Sequence, residues 1–230
     1  QILRGLSQVA ASNLDEAFTV PPAIYSDPEI AALELERIFK AEWVCPGLAS
    51  DVPKAGDYIT YNIAGQPIFI IRGKDGVVRS YANVCLHRMM TLLQDRGCAQ
   101  RITCPYHGWT YDMEGKVIGA GHMTGRDPEF DKKGYRLPEV RTEIWQGWIY
   151  VTLNPDAPSV AELLKELEPE VARFRLDRYI AVALQDPSFL RSTEGHVGSY
   201  LYGRMLDFAS RRLLRESFLR GGMACRTMLA

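Results

Sequence analysis

The chain has 230 residues, of which 47% are hydrophobic and 24% are charged. Its formal net charge of −1 leaves no basic excess, so we expect no nucleic-acid partner. The longest uncharged stretch, residues 58–71, is interrupted by polar residues and a proline, so the sequence predicts no transmembrane helix and no membrane partner. A chain of this length can bury the core of one large domain, or of one domain with a fragment of a second.

The cysteine count and the charge distribution add two further expectations. Five cysteines are an odd number, which argues against the disulfide framework of a secreted protein and favours reduced thiols or metal ligands. Because the N-terminus also lacks the pattern of a secretory signal, we expect a cytoplasmic protein. Residues 186–230 carry seven arginines and four acidic residues, whereas residues 1–185 have an excess of four acidic residues. This shift marks a compositional boundary near Gln185.

The first elements along the chain are a helix and a β-rich stretch. Ser26 and Glu29 have the spacing of a capping box and apolar residues follow at helical spacing, which predicts a helix over about residues 27–41. β-branched and aromatic residues then predict strands, separated by turn chemistry. The strands are expected at 58–61, 68–71 and 77–84, and the turns at 64–67 and 73–76. Together they indicate a β-meander.

Shorter strands and a second helix are expected farther along. The strands lie at 102–104, 109–111 and 117–118, with a turn at 113–116. A hairpin is predicted over 141–145 and 148–153, turned at Gln146 and Gly147. Residues 154–158 are rich in proline and end the sheet, and Ser159 is expected to cap a helix through about Leu167. The fold predicted from these elements is mainly β, with flanking helices.

Two short motifs carry the chemistry of the chain. Cys85-x-His87 and Cys104-x-x-His107 are separated by 16 residues. Two thiolates and two imidazoles could hold a tetrahedral zinc ion, which remains one interpretation. The short Cys-x-His spacing suits a two-iron cluster better, because neighbouring ligands can then bind different iron atoms. The donor set therefore favours a Rieske [2Fe-2S] centre.

The complete pattern, C-x-H, 16 residues and then C-P-Y-H-G-W, resembles the signature of Rieske non-haem iron oxygenase large (alpha) subunits. The resemblance covers about residues 17–180, with similar flanking segments at 38–43 and 146–158. Respiratory-chain Rieske proteins have an additional cysteine in each loop, joined by a disulfide. This chain has Tyr106 in the second loop and no cysteine directly after His87, so it is similar to the disulfide-free branch.

The resemblance implies how the four motif residues act. Cys85 and Cys104 are expected to bind one iron, and His87 and His107 are expected to bind the other. Because two neutral imidazoles replace two anionic thiolates, the cluster carries less negative charge than an all-cysteine cluster. Its reduction potential is then expected in the range of roughly −150 to +300 mV. The role of the cluster is electron transfer.

Residues near the motifs are candidates for tuning the cluster. Tyr106 and Trp109 can donate hydrogen bonds near its sulfur atoms, and Gly108 can form the tight turn beneath it. Packing in the core explains the two aromatic residues equally well. Cys98 is expected to be a turn thiol with no ligand role. His122 is expected to be an exposed loop histidine.

The resemblance also implies a domain organisation. Residues 1–44 would be an N-terminal segment and helix, residues 45–155 the Rieske domain, and residues 156–230 a linker helix with a truncated or divergent part of a catalytic domain. This last part would be a fragmentary α/β segment. The family's catalytic domain holds a mononuclear iron through two histidines and one carboxylate. Only His196 lies beyond Gln185, so the ligands of that Fe(II) are not recognisable.

The implied function is that of an oxidoreductase. An oxygenase component of this family accepts electrons from a flavin or ferredoxin-type reductase and passes them to a mononuclear non-haem iron. That iron supports O2-dependent hydroxylation or demethylation of a small organic substrate, by a monooxygenase or dioxygenase reaction. Family analogy also implies a homotrimer. The alternative is a non-enzymatic Rieske ferredoxin-type electron carrier, which needs no second iron.

Overall fold

The computed structural model describes residues 2–16, 19–121, 123 and 130–174. The described residues fall into two compact units, one within residues 2–41 and the other within residues 42–174. The expectations for His122 and His196, and those for the segment beyond Gln185, lie outside the described residues. In the part of the chain that the structure describes, no helix is both long and apolar enough to cross a membrane.

The first unit is helical in its described part. Its elements are helix α1 (Ile2–Ala11), two 3-10 turns (Leu14–Glu16 and Pro22–Tyr25), helix α2 (Pro28–Glu34) and a π-helical turn (Leu35–Phe39) that continues α2. Leu6, Ile24 and Ile30 form its buried core. The sequence predicts the second helix but not α1.

The start of α2 corrects the predicted capping box. The Asp27 carboxylate, not the Ser26 hydroxyl, caps the helix, since it accepts hydrogen bonds from the backbone N–H groups of Glu29 at 2.9 Å and Ile30 at 3.2 Å. Pro28 follows as the first helical residue, where a missing N–H costs nothing. An aspartate next to this proline therefore takes the position that the serine was predicted to hold.

The second unit is built from antiparallel strands. They are β1 (Val44–Leu48), β2 (Asp57–Ile63), β3 (Gln66–Arg72), β4 (Val78–Ala82), β5 (Arg96–Cys98), β6 (Ile102–Thr103), β7 (Thr110–Tyr111), β8 (Val117–Gly119), β9 (Glu139–Trp145) and β10 (Trp148–Thr152). Seven form a sheet in the order β1-β10-β9-β4-β3-β2-β5, and three form a small sheet in the order β6-β7-β8. The mainly β, antiparallel fold predicted from the sequence is confirmed.

Strand β3 is an interior strand of the larger sheet, between β4 and β2, and it is buried on both faces. Ile68 and Ile70 face one core, and Phe69 and Ile71 face another core that continues into the small sheet. Successive side chains of a strand point to opposite faces, so a strand between two cores needs an uninterrupted apolar run. The second of these cores also contains Cys85 and Cys104, so the two sequence motifs pack against it.

Two hairpins of the large sheet have two-residue turns with positive φ at both positions. The turn between β2 and β3 is Ala64 (φ 52°) and Gly65 (φ 83°), and the turn between β9 and β10 is Gln146 (φ 50°) and Gly147 (φ 83°). Such turns match the twist of the paired strands. The second turn confirms the prediction, whereas the first is shorter than the predicted 64–67 because β3 already begins at Gln66.

The helix predicted after the sheet is shorter than expected. Ser159 does cap it, accepting a hydrogen bond from the Glu162 N–H at 3.2 Å, but α3 ends at Leu163. A separate helix, α4 (Glu168–Val171), follows. Pro169 has no N–H to donate to a preceding turn, so one continuous helix through this segment is disfavoured, and the new helix has the proline in its first turn.

Candidate metal centre

The two sequence motifs lie on two loops that connect different strands. The first loop joins β4 to β5 and carries Cys85 and His87, and the second joins β6 to β7 and carries Cys104 and His107. Although the motifs are separated in sequence, the fold brings their histidines together. The two imidazole rings are 4.7 Å apart between centroids and meet edge to face at 72°.

The two loops have the same backbone connection. The N–H of Cys85 donates to the carbonyl of Met90 at 2.8 Å, and the N–H of Cys104 donates to the carbonyl of Trp109 at 2.7 Å. Each loop is therefore closed by a bond from its cysteine to the residue five positions later. These closing bonds use only backbone atoms. The side chains within each loop, including those of the two histidines, are therefore not needed to close it.

Both motif thiols are buried and neither forms a disulfide. Cys85 is 1% exposed and Cys104 is 3% exposed, within the core between the two sheets. The Nδ1 atom of His87 is also buried and has no hydrogen-bond partner among the described residues. A buried imidazole nitrogen normally has a partner, so this atom is well suited to bind a metal. The donor set and its burial fit an iron–sulfur cluster.

Trp109 packs against the first loop. Its indole is 4% exposed and lies parallel to the His87 ring, at 5.4 Å and an angle of 4°. The rings of Phe130 and Tyr135 cover it at 5.7 and 6.2 Å. The indole Nε1 is buried without a hydrogen-bond partner in the described structure. An N–H in that position can donate to an acceptor supplied by a bound group, and the predicted donor role stays a prediction.

The other predicted neighbours take different positions. Tyr106 is 59% exposed, and its ring lies 3.7 Å from the His107 ring, so it covers that histidine on the solvent side. Gly108 has a φ of 69°, as the predicted tight turn requires. Cys98 lies in the exposed edge strand β5 rather than in a turn, which corrects that detail.

Tyr111 is a site residue that the sequence did not reveal. Its hydroxyl lies 3.3 Å from the Cys85 Sγ and accepts a hydrogen bond from the Leu86 N–H at 3.0 Å. Burial raises the pKa of Tyr111 above its ordinary value, and the contact with Cys85 raises that pKa further, so the hydroxyl stays protonated. The only signal was the alternation of β7, which turns Tyr111 to the same buried side as Trp109.

The arrangement differs from that of a single-ion site. Within the described ranges, no three His, Cys, Asp or Glu side chains are grouped so that they could hold one metal ion, and this includes the motif residues. A structural zinc ion needs four ligands around one point. The ligands of a two-iron cluster are divided between two metal atoms, so they need not surround a single point. The arrangement is compatible with a cluster whose ligands are divided between two iron atoms.

Comparison with known proteins identifies the fold. The Rieske [2Fe-2S] domain family matches residues 42–134. These residues therefore form a Rieske [2Fe-2S] domain. Its cofactor is therefore a Rieske [2Fe-2S] cluster, and the antiparallel fold is of the Rieske type. This finding excludes the structural zinc interpretation of the motifs.

The homology extends beyond the Rieske domain to oxygenase subunits. The glycine betaine monooxygenase oxygenase subunit of Pseudomonas aeruginosa is 33% identical over 155 residues, which are 67% of this chain and 36% of that protein. The carnitine monooxygenase oxygenase subunit of Escherichia coli is 35% identical over 161 residues, or 70% of this chain and 43% of that protein. The chain thus spans less than half the length of these relatives.

Solved structures of oxygenases share the fold. The quaternary ammonium Rieske monooxygenase CntA, bound to gamma-butyrobetaine, has a TM-score of 0.63 at 33% identity, over 72% of this chain and 47% of that one. Naphthalene 1,2-dioxygenase from Rhodococcus sp. has a TM-score of 0.63 at 31% identity, over 72% of this chain and 38% of that one. These homologues are oxidoreductases, and the comparisons do not favour the free electron carrier.

Proposed function

We propose that Cys85 and Cys104 bind one iron of the Rieske cluster and that His87 and His107 bind the other. The observation that carries the proposal is the meeting of the two loops, with imidazole centroids 4.7 Å apart and both thiols buried. When bound, the cluster takes up and releases one electron. As iron ligands the two cysteines would be thiolates, and the positive charge of the iron would compensate their buried negative charge.

The surrounding residues support this binding in different ways. The Leu86 N–H donates to the Tyr111 hydroxyl, which can then direct its own hydrogen to the Cys85 sulfur, because a thiolate only accepts. Trp109 keeps water from one face of His87 and can direct its Nε1–H to an acceptor of the bound cluster. These contacts would stabilise negative charge on sulfur and so favour the reduced state.

We propose further that the chain is the electron-accepting part of an oxygenase component. It would receive electrons from a flavin or ferredoxin-type reductase and deliver them to a mononuclear non-haem iron, for O2-dependent hydroxylation or demethylation of a small organic substrate. Homology to monooxygenase and dioxygenase subunits supports this function. The chain contains four histidines, and two are assigned to the cluster, so the residues of this chain do not supply a recognisable site for the second iron.

The assembly and location are proposed by analogy. A relative, a quaternary ammonium Rieske monooxygenase, transfers electrons between subunits. We propose that this chain also acts in an oligomer, a homotrimer, in which the cluster of one subunit serves another. We propose a cytoplasmic location, which the odd cysteine number supports. The domain limits at 44/45 and 155/156 likewise remain proposals.

The ligand assignment is tested by substitution. His87→Ala and His107→Ala are expected to abolish the cluster or to change its paramagnetic spectrum, whereas Cys98→Ala, a matched thiol outside the two loops, is expected to retain it. The measurements are iron and sulfide content and the spectrum of the reduced protein. Loss of iron in Cys98→Ala with retention in His107→Ala would contradict the assignment.

A further inference from the structure

Asn83 lies at the base of the first ligand loop and makes two hydrogen bonds to one residue on the other arm. Its side-chain Oδ1 accepts from the Leu93 N–H at 2.9 Å, and its Nδ2 donates to the Leu93 carbonyl at 2.8 Å. The side chain is 3% exposed. The amide therefore connects the start and the end of the segment that carries Cys85 and His87.

The backbone alone holds the two arms of this loop weakly. Beyond the Asn83 side chain the arms share one isolated bridge, between Val84 and Thr91. Its two backbone bonds are the one that closes the loop, from the Cys85 N–H to the Met90 carbonyl at 2.8 Å, and one from Leu92 to Asn83. The Leu92 N–H reaches the Asn83 carbonyl only at 3.4 Å. A side-chain amide has one carbonyl and one N–H group, as a peptide group does, so Asn83 supplies the pair that the irregular backbone lacks.

The two bonds between the Asn83 side chain and Leu93 form a clamp, and the backbone of Asn83 connects this clamp to the large sheet. The backbone N–H of Asn83 donates to the Pro67 carbonyl of β3 at 2.9 Å. Leu92, beside the clamped residue, is buried in the core that contains both motif cysteines. The position of the loop base is therefore set by an interior strand of the sheet, and the two clamp bonds transmit that position to the second arm.

We propose that Asn83 is a positioning residue that closes the first ligand loop and so holds Cys85 and His87 in the geometry that the cluster requires. The inference rests on the proposed ligand assignment. Asparagine is suited to this position because it combines a donor and an acceptor in one plane. Aspartate has the same shape but cannot donate, and it would place a carboxylate oxygen against the Leu93 carbonyl.

A purely structural role makes a different prediction from a positioning role. If Asn83 only satisfied buried polar groups, its loss would lower the stability of the fold and leave the bound cluster unchanged. If it positions the loop, its loss changes the geometry around the cluster even where the protein stays folded. The paramagnetic spectrum and the rate of cluster release separate the two roles.

The experiment compares Asn83→Ala and Asn83→Asp with the parent protein, each loaded with its cluster. For the reduced Asn83 variants we expect paramagnetic resonance signals with shifted g-values or broadened lines. We also expect at least tenfold faster iron release to an Fe(II) chelator under anaerobic conditions. Asn83→Asp keeps the Leu93 N–H bond and is expected to give an intermediate release rate. If Asn83→Ala does not fold, the spectrum and release rate of Asn83→Asp decide.

Two control variants make the result specific. Val151→Ala removes buried volume from the other core and is expected to lower the unfolding temperature with an unchanged spectrum. Asn62→Ala removes an exposed amide that accepts from the Gly65 N–H at 2.9 Å, and no change is expected. Spectra and release rates of the Asn83 variants equal to those of the parent would overturn the inference alone. A parent protein without a Rieske spectrum would overturn the ligand assignment and the inference together.

Discussion

Met89 and Gly108 hold equivalent positions in the two ligand loops. Each lies four residues after its cysteine and donates its N–H to that cysteine's carbonyl, at 2.9 Å for Met89 and 3.0 Å for Gly108. Each also has a left-handed φ, 55° for Met89 and 69° for Gly108. Both loops therefore contain a residue in the left-handed conformation at this position. Only the second loop has a glycine there, which adopts that conformation without steric cost.

This equivalence predicts unequal effects of two substitutions on stability. A Cβ added at Gly108 meets no atom within 4 Å, so Gly108→Ala is expected to destabilise only through its backbone, by about 1 kcal/mol. Met89→Gly relieves the same strain but gains freedom in the unfolded chain, so a net change of about 0.5 kcal/mol or less is expected. The measurement is the unfolding temperature of each cluster-loaded variant. A strongly destabilised Met89→Gly would show that its side chain matters more than its backbone.

The strands were predictable because their apolar runs and turns are local signals. Strand β3 is an example, since its four consecutive apolar residues reflect burial on both faces. Strand β1 was missed because Cys45, Pro46 and Gly47 have the composition of a turn. The strand pairs with the distant β10 through Val44, Gly47 and Leu48, and its register shifts between Val44 and Gly47. The edge strand β5 was missed because all three of its residues are exposed.

The ligand candidates were predictable from spacing alone, but their surroundings were not. The two motifs identify two cysteines and two histidines as ligand candidates from the sequence alone. The contact between Tyr111 and Cys85 joins residues 26 positions apart, and it depends on how the small sheet packs on the large one. Asn83 likewise has no local signal, because its partner Leu93 lies across a loop. Hydrogen bonds of this kind follow from tertiary structure.

The Tyr111 hydroxyl is expected to raise the reduction potential. Tyr111→Phe removes the 3.3 Å contact to the Cys85 sulfur, which should disfavour the more negative, reduced cluster. If about 1 kcal/mol of hydrogen-bond energy differs between the two redox states, the potential falls by about 40 mV. The control is Tyr81→Phe, since Tyr81 is also buried but its hydroxyl is near Arg136. Equal potentials in Tyr111→Phe and the parent, measured by redox titration, would refute the hydrogen bond's role.

The thiols of Cys45 and Cys98 are expected to differ in reactivity. Burial raises the pKa of Cys45 from 9.0 to about 12, whereas Cys98 is exposed. Iodoacetamide at pH 8 should therefore modify Cys98 before Cys45, with full retention of iron, as peptide mass spectrometry and iron analysis would show. Because the folded pKa of Cys45 is the higher one, its contribution to stability is complete below about pH 9 and is lost as pH rises toward 12. Cys45 is only half-buried, so rapid labelling of its thiol in the folded protein would contradict the raised pKa.

Arg141 is expected to fix the segment that follows the sheet. Its guanidinium lies 4.9 Å from the Trp43 ring centroid and donates to the carbonyls of Pro155, at 3.3 Å, and Ala157. Arg141→Ala is expected to destabilise the domain by about 2 kcal/mol and to expose residues 154–158 to limited proteolysis. The control is Lys40→Ala, which removes an exposed pair with Glu36 and should change stability by less than about 0.5 kcal/mol. Equal protease sensitivity of both variants would contradict this role.

By itself, this chain is expected to carry out only the electron-accepting step of an oxygenase reaction. Loaded with its cluster and given a reductant, it is expected to accept electrons but to show no substrate-dependent insertion of oxygen. Non-haem iron chemistry of this type needs two imidazoles and one carboxylate on one face of the metal. With His87 and His107 assigned to the cluster, His122 and His196 are the remaining histidines.

We do not expect these two histidines to bind one iron together. His122 follows the second motif closely, and His196 has no histidine near it in sequence. The measurement is product formation from a panel of aromatic and N-methylated compounds, including quaternary ammonium compounds, together with iron per chain. His107→Ala serves as the control, because it should also lose the electron-accepting step. Coupled hydroxylation or demethylation accompanied by a third bound iron would show that His122, His196 or both take part in a second metal site.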